Sequence, residues 1–269
     1  MKFAGDELPV GTVVVFRYLI AVSGFALTGR LPRIPREDRL LILVLGALNF
    51  ALSPSLQVAS LRYTQATDAS ILIALEPLVT VVAATVVLRN PLGGRTIVAS
   101  AVALVGALVL SGVGTPSGEI TRERLLGNAL FLASTCFEVS VTVAGARLAQ
   151  KHDPLAAMSA LKACGLAAAA VIYAPVLIET DFFDVSARAW LSLAYLGLLA
   201  SVVGYGVWYY AIARAPVSQV AMSLYLQPVV GAALGVMLAG ETVGPHTLAG
   251  AAIIAVALAW WRLGQRRSL

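Results

Sequence analysis

The sequence predicts an all-α integral membrane protein, an inverted repeat of five-helix units with nine transmembrane helices present in this chain. Three observations carry that expectation. The 269 residues are 59% hydrophobic and only 12% charged, where soluble domains carry about 25% charged residues, and the mean hydropathy is +0.87. Nine segments are apolar over the roughly 20 residues that a spanning helix requires. The chain also matches itself, without gaps, at an offset of 151 residues.

In order, the expected spans are 10–29, 40–60, 67–88, 95–112, 125–149, 155–178, 189–212, 217–239 and 246–263. Short connections separate them, with turn residues in LPRIPRED (31–38), NPLGG (90–94), TPSGE (115–119), HDP (152–154), APVS (215–218) and ETVGP (241–245). The opening MKFAGDELP has no apolar core before the first span and is not read as a cleavable signal peptide.

Loops alternate across a membrane, so the basic residues can be counted by side. One side carries Arg30, Arg33, Arg36, Arg39, Arg89, Arg95, Arg147, Lys151, Arg214, Arg262, Arg266 and Arg267; the other carries Lys2, Arg62, Arg122, Arg124 and Arg188. The positive-inside rule places the first group in the cytoplasm. The C-terminus is then cytoplasmic, and nine spans put the N-terminus outside. The expected setting is the cell inner (plasma) membrane.

Other chemistry finds little support. Cys136 and Cys164 lie in apolar runs and read as buried small side chains. His152 and His246 are too sparse for a metal site. No His-Glu-x-x-His, Gly-x-Ser-x-Gly or Walker loop occurs, and GVGTPSG (112–118) lacks the strand and third glycine of a dinucleotide fingerprint. We expect no catalytic residue, no metal and no cofactor. The expected partners are the lipid bilayer and a small-molecule substrate, not nucleic acid, in a monomer or homodimer.

The self-match covers about 65 residues and places Gly46 on Gly197, Pro77 on Pro228, Gly93 on Gly244 and Thr96 on Thr247. At an offset of 145, LPVGTVVVFRYLIA (8–21) lies over DPLAAMSALKACGL (153–166), aligning Pro9 with Pro154 and Arg17 with Lys162. The second half has one further span, 125–149, whose counterpart would precede residue 1. A complete unit thus has five helices, and an odd number inverts the next unit, the symmetry of many secondary transporters. We expect the missing opening helix to reflect a fragment or a start placed too far downstream, in preference to a nine-helix variant with its central cavity open along one wall.

Four charges fall inside the spans: Arg17, Lys162, Glu76 and Glu138. Glu76 sits about ten residues from either end of its span, roughly 15 Å deep, where a carboxylate costs about 2.5 kcal/mol or more. Pro77 removes a backbone donor and disfavours helical geometry at Glu76. The pair is a substrate or proton site, or an acid that only holds a kink. Glu138, flanked by hydroxyls in STCFEVSVT (134–142), carries the same two readings. Arg17 and Lys162 snorkel to the interface, pair with the two acids, or bind a substrate carboxylate.

Gln227-Pro228 repeats the kink without the charge. Tyr225 and Asn49 are candidate cavity-lining and buried polar residues. Trp208, Tyr209 and Tyr210 read as an interface belt, Trp260 and Trp261 as an interfacial anchor, and GAALG (231–235) as a close helix contact.

FRYLIA (16–21), ALEP (74–77), LYLQP (224–228) and LAGETVGPHTLAGAAIIAVAL (238–258) give the whole chain a resemblance to the drug/metabolite transporter superfamily, specifically its EamA-type members. That resemblance implies ten helices in two inverted repeats, here 1–119 with its opening helix missing and 120–269 complete. It also implies efflux of amino acids or related amphipathic metabolites. The chain departs from the pattern in that missing helix and in Asn90, which stands where the second half has Glu241. Without a nucleotide-binding motif, transport would be driven by a gradient. A proton-coupled exporter, a proton-independent exchanger or facilitator, a non-transporting scaffold and a membrane-embedded lipid enzyme remain as readings, in descending order.

Overall fold

A computed structural model describes residues 7–29, 36–60, 62–89, 93–112, 121–182, 184–239 and 244–265. Outside them lie Lys2, Arg30, Arg33, Asn90, Glu241, Arg266, Arg267 and segment 113–118 of the Gly-x-Gly stretch. Each of the nine expected spans is helical. We label the helices α1 (Val10–Leu27), α2 (Arg36–Ser60), α3 (Ala66–Leu88), α4 (Gly94–Leu110), α5 (Arg122–Lys151), α6 (Pro154–Ile172), a short α7 (Ala174–Glu179), α8 (Ala187–Ile212), α9 (Val217–Ala221, continuing to Leu226–Ala239) and α10 (Pro245–Gln265). Among the described residues, eight spans are long and apolar enough to cross a membrane; α4, with 17 residues, is the shorter ninth. No strand occurs among the described residues.

Local chemistry explains the boundaries. The Asp153 carboxylate caps α6 by accepting from the Ala156 amide, 2.9 Å away, and Pro154 stands in the first turn, where its missing N–H costs nothing. Ser186 caps α8 in the same way through the Ala189 amide. The expected continuous span 155–178 is broken at Tyr173, because Pro175 cannot continue the backbone ladder and starts α7 instead. Pro77, by contrast, is accommodated inside an unbroken α3. The Thr80 hydroxyl there donates to the Glu76 carbonyl at 2.9 Å.

Three spans depart from α geometry. A π segment occupies Leu48–Leu52 in α2, another Leu196–Gly204 in α8, and a 3-10 turn at Met222–Tyr225 precedes Gln227-Pro228 in α9. The two π segments fall at corresponding positions under the 151-residue offset.

The chain divides into two compact units, residues 1–59 with 136–215 and residues 60–135 with 216–269. Each unit takes helices from both halves of the sequence. In the first, α1 packs on α6 and on the π segment of α8, and α2 packs on α6. Gly46 and Gly165 make the α2–α6 contact possible: a Cβ on Gly46 would stand 2.5 Å from the Leu161 carbonyl oxygen, and one on Gly165 would stand 2.8 Å from the Gly46 carbonyl oxygen. In the second unit, α3 packs on α9 and α4 on α10. Ala99, Ala103, Ala107, Met222, Tyr225, Ile254 and Trp261 form its core. A Cβ on Gly250 would lie 2.5 Å from the Gly106 carbonyl oxygen, so these backbones touch only because both residues are glycine. The expected contact at GAALG is not found at Gly231, where a Cβ would meet nothing within 4 Å. The close approaches use other glycines, because shape at the partner helix, not the motif, selects them.

Leu27, Val171 and Leu191 in the first unit, and Val86, Met237 and Val256 in the second, are largely exposed. In water such faces would be a liability; for spans of this hydropathy they are the lipid side.

Loops assigned to the same side by alternation are joined within each unit. In the first, the Ser186 amide and hydroxyl donate to the Glu7 carboxylate at 2.8 and 2.7 Å, holding that carboxyl below its usual range. At the other end, Lys151 Nζ lies 2.9 Å from Glu37 and 3.0 Å from Asp38, and His152 Nε2 is 2.7 Å from Asp38. In the second unit, Arg124 Nε meets Asp68 at 2.6 Å in a buried pair, Asn128 adds an amide at 3.0 Å, and Arg95 stacks 4.4 Å over the Trp260 ring.

Several surface expectations are corrected. Tyr209 is not in an interface belt: it is fully buried, and its hydroxyl donates to the Val141 carbonyl at 3.0 Å. Trp261 is interior as well, donating to Thr96 Oγ1 at 3.1 Å, whereas Trp260 and Tyr210 keep exposed positions. Cys136 is exposed, while Cys164 is buried.

Candidate functional site

The candidate residues gather at one polar centre in each unit among the described residues. In the first, Glu138 projects from the middle of α5, where Ser53 Oγ and Gln57 Nε2 donate to its Oε1 at 3.1 and 2.8 Å. Ser53 and Gln57 are four residues apart and so share a face of α2. Next to them, the Asn49 Nδ2 donates to the Phe137 carbonyl at 3.4 Å, which ties the π segment of α2 to α5. Ser55 and the Tyr173 hydroxyl are 2.6 Å apart. Arg17, on α1, donates from Nε to Ser201 Oγ at 2.8 Å, and its charge acts on the Glu138 carboxylate without a direct ion pair.

Lys162 does not snorkel. Its side chain is wholly buried, and aromatic rings surround its Nζ in place of interfacial water. Pairing with an acid is not found either, since Nζ has no hydrogen-bond partner among the described residues.

The second centre is a cavity of about 140 Å³ within the second unit. Glu76, Pro77, Ser70 and Ile73 of α3 line one side, Tyr225, Gln227 and Pro228 of α9 another, and Ala107 and Ser111 close it from α4 and its C-cap. The two Pro-containing segments that overlay in sequence therefore face a shared space. Glu76 is half-buried, and the Tyr225 hydroxyl is buried without a hydrogen-bond partner. Ligand pockets for whole drug-sized molecules run to about 300–1,000 Å³; this cavity is smaller.

Seven candidate residues thus fall into two groups: Arg17, Asn49, Glu138 and Lys162 in the first unit, and Glu76, Tyr225 and Gln227, with Pro77 and Pro228, in the second. Sequence reasoning missed Ser53, Gln57, Ser201 and Ser111. The four-residue spacing of Ser53 and Gln57 inside an apolar span was a usable signal. The ring set around Lys162 had none, because Tyr18, Phe50 and Tyr205 lie far apart in the sequence and meet only through packing.

Glu37, Asp38 and His152 bring potential ligand atoms within 4.8 Å of one another. The Lys151 ammonium already bridges both carboxylates there, so the group is an ion-pair cluster at a loop.

The nine apolar helices among the described residues, with charges inside several of them, define a multi-pass membrane protein of the transporter class. The EamA-like transporter family matches residues 1–112 and 125–262, and the chain belongs to that family. Among its relatives, a probable terminal-alkyne amino-acid exporter of Streptantibioticus cattleyicolor is 30% identical over 249 residues, 91% of this chain and 80% of that one. An uncharacterised transporter of Bacillus subtilis is 23% identical over 80% of this chain and 67% of its own. A probable amino-acid metabolite efflux pump of Salmonella typhimurium is 43% identical over 68 residues, 25% of this chain and 23% of that one. A crystal structure with 18% identity covers 98% of this chain and 92% of its own with a TM-score of 0.83, which fixes the fold.

Proposed function

We propose that this transporter exports amino acids or related small metabolites by alternating access between inverted repeats 1–119 and 120–269, coupled to a proton gradient. The observation that carries the reading is the cavity of the second unit, where Glu76-Pro77 of one repeat and Gln227-Pro228 of the other line the same space. Broken or kinked helices meeting across a pseudo-two-fold are the usual place for substrate and coupling ions. Glu76 takes the proton or the substrate's ammonium, and Gln227 and the Tyr225 hydroxyl orient the polar head. Glu138, held by two donors and facing the charge of Arg17, is the second candidate acid. The names of two relatives support amino acids as the substrate class. The C-terminus faces the cytoplasm of the inner membrane, as the distribution of basic residues supports.

The test is flux from proteoliposomes across a panel of amino acids. Glu76→Gln is expected to abolish the pH dependence of transport. Unchanged pH dependence in that variant excludes coupling through Glu76, and flux that survives an uncoupler assigns a proton-independent exchanger instead. A reporter fused to the C-terminus that becomes active only outside the cytoplasm would reverse the topology.

A further inference from the structure

The surroundings of Lys162 are built in a way that the transport reading leaves unexplained. Its Nζ is wholly buried and has no hydrogen-bond partner among the described residues. An ammonium in such a place has lost its hydration, which buried charges normally replace with a carboxylate or several carbonyl oxygens. Here three aromatic faces stand in that position. Nζ is 3.9 Å from the ring centroid of Tyr205, 4.0 Å from that of Phe50 and 4.9 Å from that of Tyr18. Arg17, the charge that acts on it, has the same sign.

The rings come from three helices. Tyr18 is on α1, Phe50 lies inside the π segment of α2, and Tyr205 directly follows the π segment of α8. Phe50 stands edge-on to both others, at 5.4 Å and 72° to Tyr18 and at 5.7 Å and 73° to Tyr205. The π turns matter, because such segments are rare, re-aim the side chains beside them, and cluster at functional sites. Two of them, on different helices, deliver two of the three walls. Gly165, one turn beyond Lys162, completes the arrangement: a Cβ there would collide with Phe50.

We propose that the Tyr18–Phe50–Tyr205 box is a binding site for small organic ammonium groups, primary or methylated, with Lys162 as its tethered resident ligand. Ring faces attract a desolvated cation and are indifferent to a neutral group of the same shape, so the box selects charge as well as size. Under the amino-acid reading, on which this clause alone rests, the free competitor is the amino group of the substrate. The box itself stands without it.

The experiment uses purified full-length Lys162→Ala protein in detergent, probed by thermal shift and calorimetry with choline and with its uncharged carbon isostere. Choline is expected to bind this variant about tenfold more tightly than the isostere and to leave wild type unmoved. Equal binding of the two reduces the box to an apolar cavity and overturns the proposal; so does a folded variant that binds neither. Should the variant not fold, wild type carrying mono-, di- or trifluorinated phenylalanine at position 50 supplies the second measurement. Fluorine withdraws charge from the ring face, so Tm is expected to fall stepwise along the series, and a flat series overturns the proposal. Neither measurement reads flux, so a failure of the export reading leaves both intact.

Discussion

In the first unit, every interior charge is met by something that the protein itself supplies: Ser201 for Arg17, Ser53 and Gln57 for Glu138, and three rings for Lys162. In the second, the half-buried Glu76 borders a cavity of about 140 Å³ beside the Tyr225 hydroxyl, which has no hydrogen-bond partner among the described residues. The contrast separates two uses of membrane-embedded polarity. Polar groups held between packed helices fix helix positions, whereas polar groups that line a cavity border space that a ligand can enter. The two units also close on the same principle, a pair of glycines at a backbone contact, so packing alone does not distinguish them.

That shared principle makes the strongest prediction. Gly46→Leu in the first unit and Gly250→Leu in the second each drive a side chain into the backbone of the facing helix. Overpacking usually costs about 1–3 kcal/mol, and here the obstacle is main chain that cannot move aside. Loss of monodisperse protein on size exclusion is expected for both, and a well-folded variant of either would show that its unit closes differently. The next effect divides the units. Glu138→Ala removes the acceptor shared by Ser53 and Gln57 and is expected to cost about 1–2 kcal/mol of stability, read as a lower Tm. Glu76→Gln is expected to change Tm little while removing pH-dependent transport. The reverse pattern would move the working acid into the first unit.

Smaller still is Tyr209→Phe, which removes one buried hydrogen bond to the Val141 carbonyl. About 0.6–1.5 kcal/mol is expected, with flux unchanged. The smallest effect is at the surface. Ser186 donors hold the Glu7 carboxyl below its ordinary value of 4.5. Its contribution is therefore complete above that pH and is lost as pH falls through the lower folded value. Glu7→Gln should flatten the acid-side decline of Tm slightly, measured between neutral pH and the acid limit of the folded protein.

How much of this was legible in the sequence depends on the range of each interaction. All nine spans could be read from hydropathy, because each apolar segment must satisfy its own backbone in lipid and so forms a helix regardless of its neighbours. Pro77 and Pro228 could be matched by the repeat. The burial of Tyr209 and Trp261 could not, since a helix in a membrane is apolar on its lipid face as well as its core face, and the pattern does not say which face is which. The π segments left no residue signature either. Leu48–Leu52 and Leu196–Gly204 are ordinary apolar stretches whose geometry is set by what they pack against.

The sequence by itself determined the solvent, the helices and the four interior charges, because these follow from composition and from the cost of a bare backbone in hydrocarbon. Only the tertiary structure decided what those charges meet. Whether a lysine reaches water, an acid or three aromatic rings depends on side chains brought from other helices by close packing. For Lys162 the answer was the rings.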